Sequence, residues 1–293
     1  MAELVLDARN GTGESPVWHA AEQALYWVDI PGRAIHRWSQ AEGHRHWATE
    51  EMPACLAATA TPGRWLAGME SGLFELSLGQ ESRARATRRA AVAHAAPAMR
   101  FNDGRCDRQG RFWAGTMSLD MAAGIRAGAW YRFGAGDSAL PAQLDDFIVP
   151  NGLAFSPDGR TMYVSDSHPS VQAIWAFDYD TDSGTPSNRR LFVDMNPLPG
   201  RPDGAAIDVD GGYWICGNDA GLVHRFTPDG RLDKSLPVPV KKPAMCAFGG
   251  PRLDTLYVTS IRPGGDLSDQ PLAGGVFALR PGTQGLPEPA FAG

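Results

Sequence analysis

Four oxygen-bearing residues recur in short, similar settings along the chain: Glu14 in "TGESPVW", Asn102 in "RFNDGRCD", Asn151 in "VPNGLAFS" and Asp203 in "RPDGAAID". One Glu, one Asp and one or two Asn carboxamides brought to a single point make a hard-oxygen site for one divalent cation. Such a cation also lets two carboxylates lie close together, where like charges otherwise raise one pKa. Taken singly, each residue is ordinary loop chemistry, and Pro202-Asp203-Gly204 reads as a turn because Pro presets φ and Gly tolerates positive φ. Three of the four adjoin a glycine (Gly13-Glu14, Asn151-Gly152, Asp203-Gly204), where a missing side chain lets a ligand approach the backbone. Whether they do chemistry depends on a fold that gathers them.

The chain carries a repeat that does so. Strand-like runs centred on an aromatic occur at Trp27, Trp65, Trp113, Tyr163, Trp214 and Tyr257, with steps of 38, 48, 50, 51 and 43 residues. Each is followed by a second apolar run, such as "GLFELSL" or "AIWAFDYD", and several are preceded by a turn such as "SPDGR". A period of roughly 40 to 50 residues with this meander pattern is that of four-stranded propeller blades. The expectation is one all-β domain over 1–293, a six-bladed β-propeller with four antiparallel strands per blade, whose closure leaves few exposed sheet edges. The N-terminal "ELVLDA" has no blade of its own and is expected to complete the last one beside "GGVFALRPG". Counting back ten to thirteen residues from each aromatic reaches the start of each innermost strand, at the mouth of the channel. The positions are Glu14, Cys55, Asn102, Asn151, Asp203 and Cys246.

Elsewhere the reading is plainer. "RARATRRAAVAHAA" (83–96) is the one short helix candidate, with an outer strand or surface turn as the alternatives. "GHRH" (43–46) reads as a surface turn, His168 in "SDSH" as a loop histidine near the pocket mouth, and Asp208 and Asp210 as hairpin acids. With 43% hydrophobic and 20% charged residues the composition is that of a soluble globular protein, and a net charge of −6 gives no footprint for nucleic acid or an anionic membrane. No apolar run approaches a membrane span and the N-terminus lacks a basic signal-peptide start, so a cytoplasmic protein is expected. Cys55, Cys106, Cys216 and Cys246 form no C-x-x-C pair, which favours reduced, buried thiols. There is no G-x-S-x-G elbow, no H-E-x-x-H and no phosphate-binding loop; "GESPV" lacks the final glycine, which leaves Ser15 a supporting role.

The combination "GESPVW", "LYWVDI", "RFNDGRCDRQGRFWAGTM", "VPNGLAFSPDGRTMYVSDS", "RPDGAAIDVDGGYWI" and "FGG…LYVTS" resembles the gluconolactonase and regucalcin family of sugar lactonases, from about Gly13 to Ser260. The resemblance implies a metal-dependent hydrolysis of an aldonolactone to its aldonic acid, with Glu14, Asn151 and Asp203 as metal ligands and Asp203 also moving the proton. It implies Arg100, Asn102 and Asp120 as substrate contacts, with Asp120 standing where many relatives carry Glu. One divalent cation (Ca, Mg, Mn, Zn or Fe(II)) is the implied cofactor, and a small sugar lactone the partner of a monomer. Two other readings fit the same oxygen set: a non-enzymatic calcium-binding regulatory propeller, and a metal-dependent esterase or phosphotriesterase.

Overall fold

The computed structural model describes residues 2–293, and those residues form six four-stranded antiparallel sheets and no helix. The sheets are the blades of a propeller. Chain order runs from the innermost strand outward, except that the outer strand of blade 6 comes from the N-terminus; the inner strands are Gly13–His19, Cys55–Ala58, Met99–Cys106, Pro150–Phe155, Arg201–Ile207 and Pro243–Gly249 for blades 1 to 6. The inner strands touch their neighbours around the ring, blade 6 meeting blade 1. The ring closes as expected: Glu3–Leu6 pairs antiparallel with Val276–Leu279 as the outer strand of blade 6, with Leu4 opposite Phe277.

Burial falls from axis to rim, and the sequence follows it. Pro150–Phe155 and Pro243–Gly249 are buried throughout, whereas the outer strand Thr185–Asp194 is mostly exposed and carries charge. The repeat aromatics lie on the second strands and are buried, one per blade. Two of them are tied to hairpin acids. Asp208 accepts from the backbone N–H groups of Asp210 and Gly212, from the Trp214 indole at 2.8 Å and from Arg225 at 2.7 Å. Asp107 accepts from the N–H groups of Gln109 and Arg111 and from the Tyr179 hydroxyl, which in turn accepts from the Trp113 indole. A side-chain oxygen that closes a turn and binds a core ring joins hairpin to blade.

Several expectations change. "GHRH" is not a turn but part of the outer strand Gly43–Ala48 of blade 1, because His36, His44 and Trp27 stack face to face, with centroids 5.1 to 5.8 Å apart, and supply a cross-strand surface. Arg85–Ala91 is the outer strand of blade 2, the strand alternative rather than the helix. Pro202-Asp203-Gly204 is no turn either, since all three residues lie inside the strand Arg201–Ile207. Five inner strands shift register against their neighbour: Glu14/Val17, Phe101/Gly104, Asn151/Ala154, Pro202/Ala205 and Pro243/Cys246. A β-bulge bends a strand locally and re-aims a side chain, and here it recurs at the channel.

The C-terminal segment, which the repeat did not foresee, crosses the far end of the channel. Val209 donates to Gln284 O, Gly285 to Leu253 O, Phe291 to Ala58 O and Ala292 to Gly110 O, so the segment runs from blades 5 and 6 to blades 2 and 3. Glu288 and Pro289 line the lower channel with Val17, Leu56, Arg105 and Met245, and Glu288 pairs with the buried Arg105 at 3.3 Å. The closing strand at the rim is the more easily removed. Deleting Glu3–Leu6 strips the backbone partners of Val276–Leu279, and a thermal scan should show a midpoint lower by about 5–10 °C, a few kcal/mol in a chain of this size.

Candidate active site

Each inner strand enters the channel at its first residues, so the positions picked from the repeat converge. Arg100 Nη1 donates to Asn102 Oδ1 at 2.8 Å, Asn102 Nδ2 to Asn151 Oδ1 at 2.9 Å, and Asn151 Nδ2 to Ser167 Oγ at 2.7 Å. Across the channel, Asn218 Nδ2 donates to Asp203 Oδ2 at 2.7 Å, and Glu14 Oε2 accepts from the Ser15 N–H at 2.9 Å. Glu14, Asn102, Asn151 and Asp203 are all buried. Asp120 stands apart on the exposed loop after the strand Phe112–Ser118, where its Oδ1 accepts from the Ala123 N–H. That loop rises from the same end as Arg100, because Ser118 lies opposite Met99.

The glycines beside these residues have a different task from the one their sequence suggests. A Cβ on Gly204 would lie 2.3 Å from the Met245 side chain and 2.8 Å from its Cα, and one on Gly152 would lie 2.6 Å from both Ser165 Oγ and Tyr213 Oη. They admit the neighbouring blade, not a ligand. Gly152 also has φ of +65°, and Ser15, the residue after Glu14, adopts the same left-handed region at 49°. The Ser15 hydroxyl accepts from the Leu56 N–H at 2.8 Å, which holds that conformation in place. Blade 2 offers no ligand through Cys55: its thiol fills the space left by Gly68 and by Gly104 of blade 3, and all four cysteines are free and buried.

Electrostatically the channel is out of balance. Burial, and then the neighbouring Asp203 and Asp103, push Glu14 well above the usual carboxylate range. Burial likewise raises Asp203 to about 7, against the opposing pull of Asn218 and Arg201. Asp103 is raised by burial as well; its Oδ2 accepts from Leu153 N–H, but its enclosed Oδ1 has no partner. Arg100, buried among the acids, is lowered to about 10 by desolvation. Among the described residues no three His, Cys, Asp or Glu side chains form a ready-made metal cluster. The axial set has two carboxylates and takes its third donor from an amide. Among the described residues Glu14 Oε1 and Asp203 Oδ1 accept no hydrogen bond, and Asn151 Oδ1 keeps a second lone pair. Two buried carboxylates and one amide oxygen fit a divalent cation in donor type and in charge.

Sequence reading passed over Asp103, Ser167, Arg201 and Asn218. Asp103 follows Asn102 directly, and strict strand alternation would send it to the other face; the bulge between Phe101 and Gly104 removes that rule. Asn218, fifteen residues beyond Asp203 in sequence, reaches it only because Asn218 pairs with Arg201 across the sheet.

The raised Asp203 has a measurable sign. The folded chain without metal keeps a proton to about pH 7 that the unfolded chain releases near pH 4. Stability from this group is therefore present below pH 4 and is lost as pH rises to 7. Urea unfolding in chelator should show the chain losing on the order of 3 kcal/mol between pH 4 and 8 relative to Asp203→Asn. Parallel profiles for the two proteins would show that Asp203 is not protonated.

Known proteins resemble this chain over most of its length. The chain matches the family described as SMP-30/Gluconolactonase/LRE-like region over residues 12–262. It is 39% identical to a 6-deoxy-6-sulfogluconolactonase of Pseudomonas putida over 96% of this chain and 95% of that one. It is 34% identical to regucalcin of Gallus gallus, covering 99% and 98% of the two chains. A solved structure described as a calcium-binding protein, regucalcin, from Agrobacterium tumefaciens superposes with a TM-score of 0.91 at 28% identity, covering 99% of this chain and 97% of that one. A six-bladed ring whose inner strands carry these motifs, matched over most of its length, belongs to the SMP-30/gluconolactonase/LRE-like family.

Proposed function

We propose that the chain is a carboxylic ester hydrolase that opens a sugar lactone of five or six carbons to the aldonic acid. The observation that carries this reading is the hydrogen-bonded run Arg100–Asn102–Asn151 facing two buried carboxylates, Glu14 and Asp203, at one mouth of the channel. The 39% identical sulfogluconolactonase supports the same reaction class. Glu14, Asn151 and Asp203 would hold one divalent cation, whose Lewis acidity would polarise the lactone carbonyl. Their hard oxygens suit Ca, Mg or Mn, and Zn and Fe(II) are also compatible with the set.

The chain's own groups do the rest. Asp203, beside the cation it would help hold through Oδ1, takes a proton from the attacking water. It returns that proton to the ring oxygen as the C–O bond breaks. Asn218 fixes the carboxylate by binding its other oxygen. Arg100 and Asn102 would hold substrate hydroxyls, and the guanidinium would add positive charge near the product carboxylate. Asp120 lies on the loop that would cover the sugar. The reaction needs no organic cofactor, and we assign the working form as a cytoplasmic monomer.

One alternative has a specific observation behind it: the calcium-binding description of the regucalcin structure. It expects metal binding without turnover. A pH-stat panel of glucono-, galactono-, xylono- and arabinono-lactones against the five metals separates the two, and rates no better than spontaneous hydrolysis throughout would leave only the binding protein. Asp203→Ala should lower kcat at least about 1,000-fold and remove metal binding; full retention of either would reassign the site. Asn102→Ala should raise KM about tenfold with metal affinity kept within about threefold, measured by calorimetry.

A further inference from the structure

The inner-strand register that picks out the axial residues also picks out a second arginine. Two positions before Glu14, Cys55, Asn102, Asn151, Asp203 and Cys246 stand Thr12, Pro53, Arg100, Val149, Arg201 and Ala244. Arg201 is thus to Asp203 what Arg100 is to Asn102, on blades 5 and 3, with Asn151 of blade 4 between them. Its Nε donates to Asp219 Oδ2 at 2.6 Å. Its two terminal nitrogens meet only long acceptors, Ser167 O and Asn218 Oδ1, each at 3.4 Å. A guanidinium has five N–H donors in a fork that fits an oxyanion, so most of this fork is unspent. The side chain keeps 21% exposure, and Asp203 feels its charge.

Asp219 does not cancel that charge alone, because the Lys242 ammonium shares the same carboxylate. Arg201, Lys242 and Asp219 together leave one net positive charge at the mouth. Asn218 couples the group to the catalytic acid, touching Arg201 through Oδ1 and Asp203 through Nδ2. Arg100 and Arg201 therefore flank the axial oxygens from two sides, while a neutral sugar lactone needs only one cation, near its carbonyl.

We propose that Arg201, assisted by Lys242, binds an anionic substituent at the end of the substrate remote from the lactone carbonyl, which makes aldonolactones bearing a sulfonate or phosphate on the terminal carbon the preferred substrates. This rests on the lactonase reading. The anion lies in the fork of Arg201 and beside Lys242, leaving the Arg201–Asp219 pair in place.

The metal-loaded chain is assayed on gluconolactone and on its analogues carrying sulfonate or phosphate at carbon 6. The expected kcat/KM for at least one anionic lactone is about tenfold or more above the neutral one, a ratio that shrinks as salt screens the contact. Which analogue is favoured separates sulfonate from phosphate as the source of the charge. Arg201→Gln should lower the anionic-to-neutral ratio about tenfold, Arg201→Lys should restore part of it, and Lys242→Gln, which leaves the strand untouched, should lower it about threefold. Turnover of all three lactones with a ratio near one, or a ratio unchanged in both Gln variants, overturns this proposal and leaves the lactonase reading intact. Turnover of none overturns that reading and the proposal with it.

Discussion

The structure depends on a break in strand register repeated around a ring. A pleated strand alternates its side chains between two faces, and in a propeller both faces of an inner strand are covered by neighbouring blades. An axial site built on alternation alone would have to sacrifice packing contacts at every blade. The register shifts at Glu14, Asn102, Asn151 and Asp203 avoid this, because each turns one residue toward the channel and leaves the strand beyond it buried. The cost is borne by small residues: Gly104, Gly152 and Gly204 stand where any Cβ would strike the adjacent blade.

Charge follows from that placement. Six strand ends meeting at one axis bring Glu14, Asp103 and Asp203 into one buried volume, where Arg100 opposes them while Arg105 is taken up by Glu288. Burial is the leading cause of the shift at each acid, with mutual repulsion next at Glu14. Desolvation acts against Arg100 in the same way, so the arginines around the acids do not restore the balance. A site of this kind is poised to take up positive charge or protons.

The blade number, the closing strand and the axial positions were legible in the sequence because each is a property of the repeat: a fixed spacing, an aromatic, a polar residue in constant register. The features that escaped are those that break the repeat. Pro202-Asp203-Gly204 has turn composition, but pairing with Tyr213–Asn218 before and after the bulge holds it in a strand. "GHRH" looked solvated because its partners for stacking, His36 and Trp27, lie on other strands. Asn218 gains its role from pairing across the sheet, which no local pattern announces.

The C-terminal segment gives the channel a direction. Glu288 and Pro289 stand across its lower end, tied down through Arg105 and through backbone bonds to blades on opposite sides of the ring. A tube stoppered at its base has a single door. What enters and what leaves must use the same opening in turn, so product departure clears the way for each new arrival, and a slow exit would set the pace of the whole cycle.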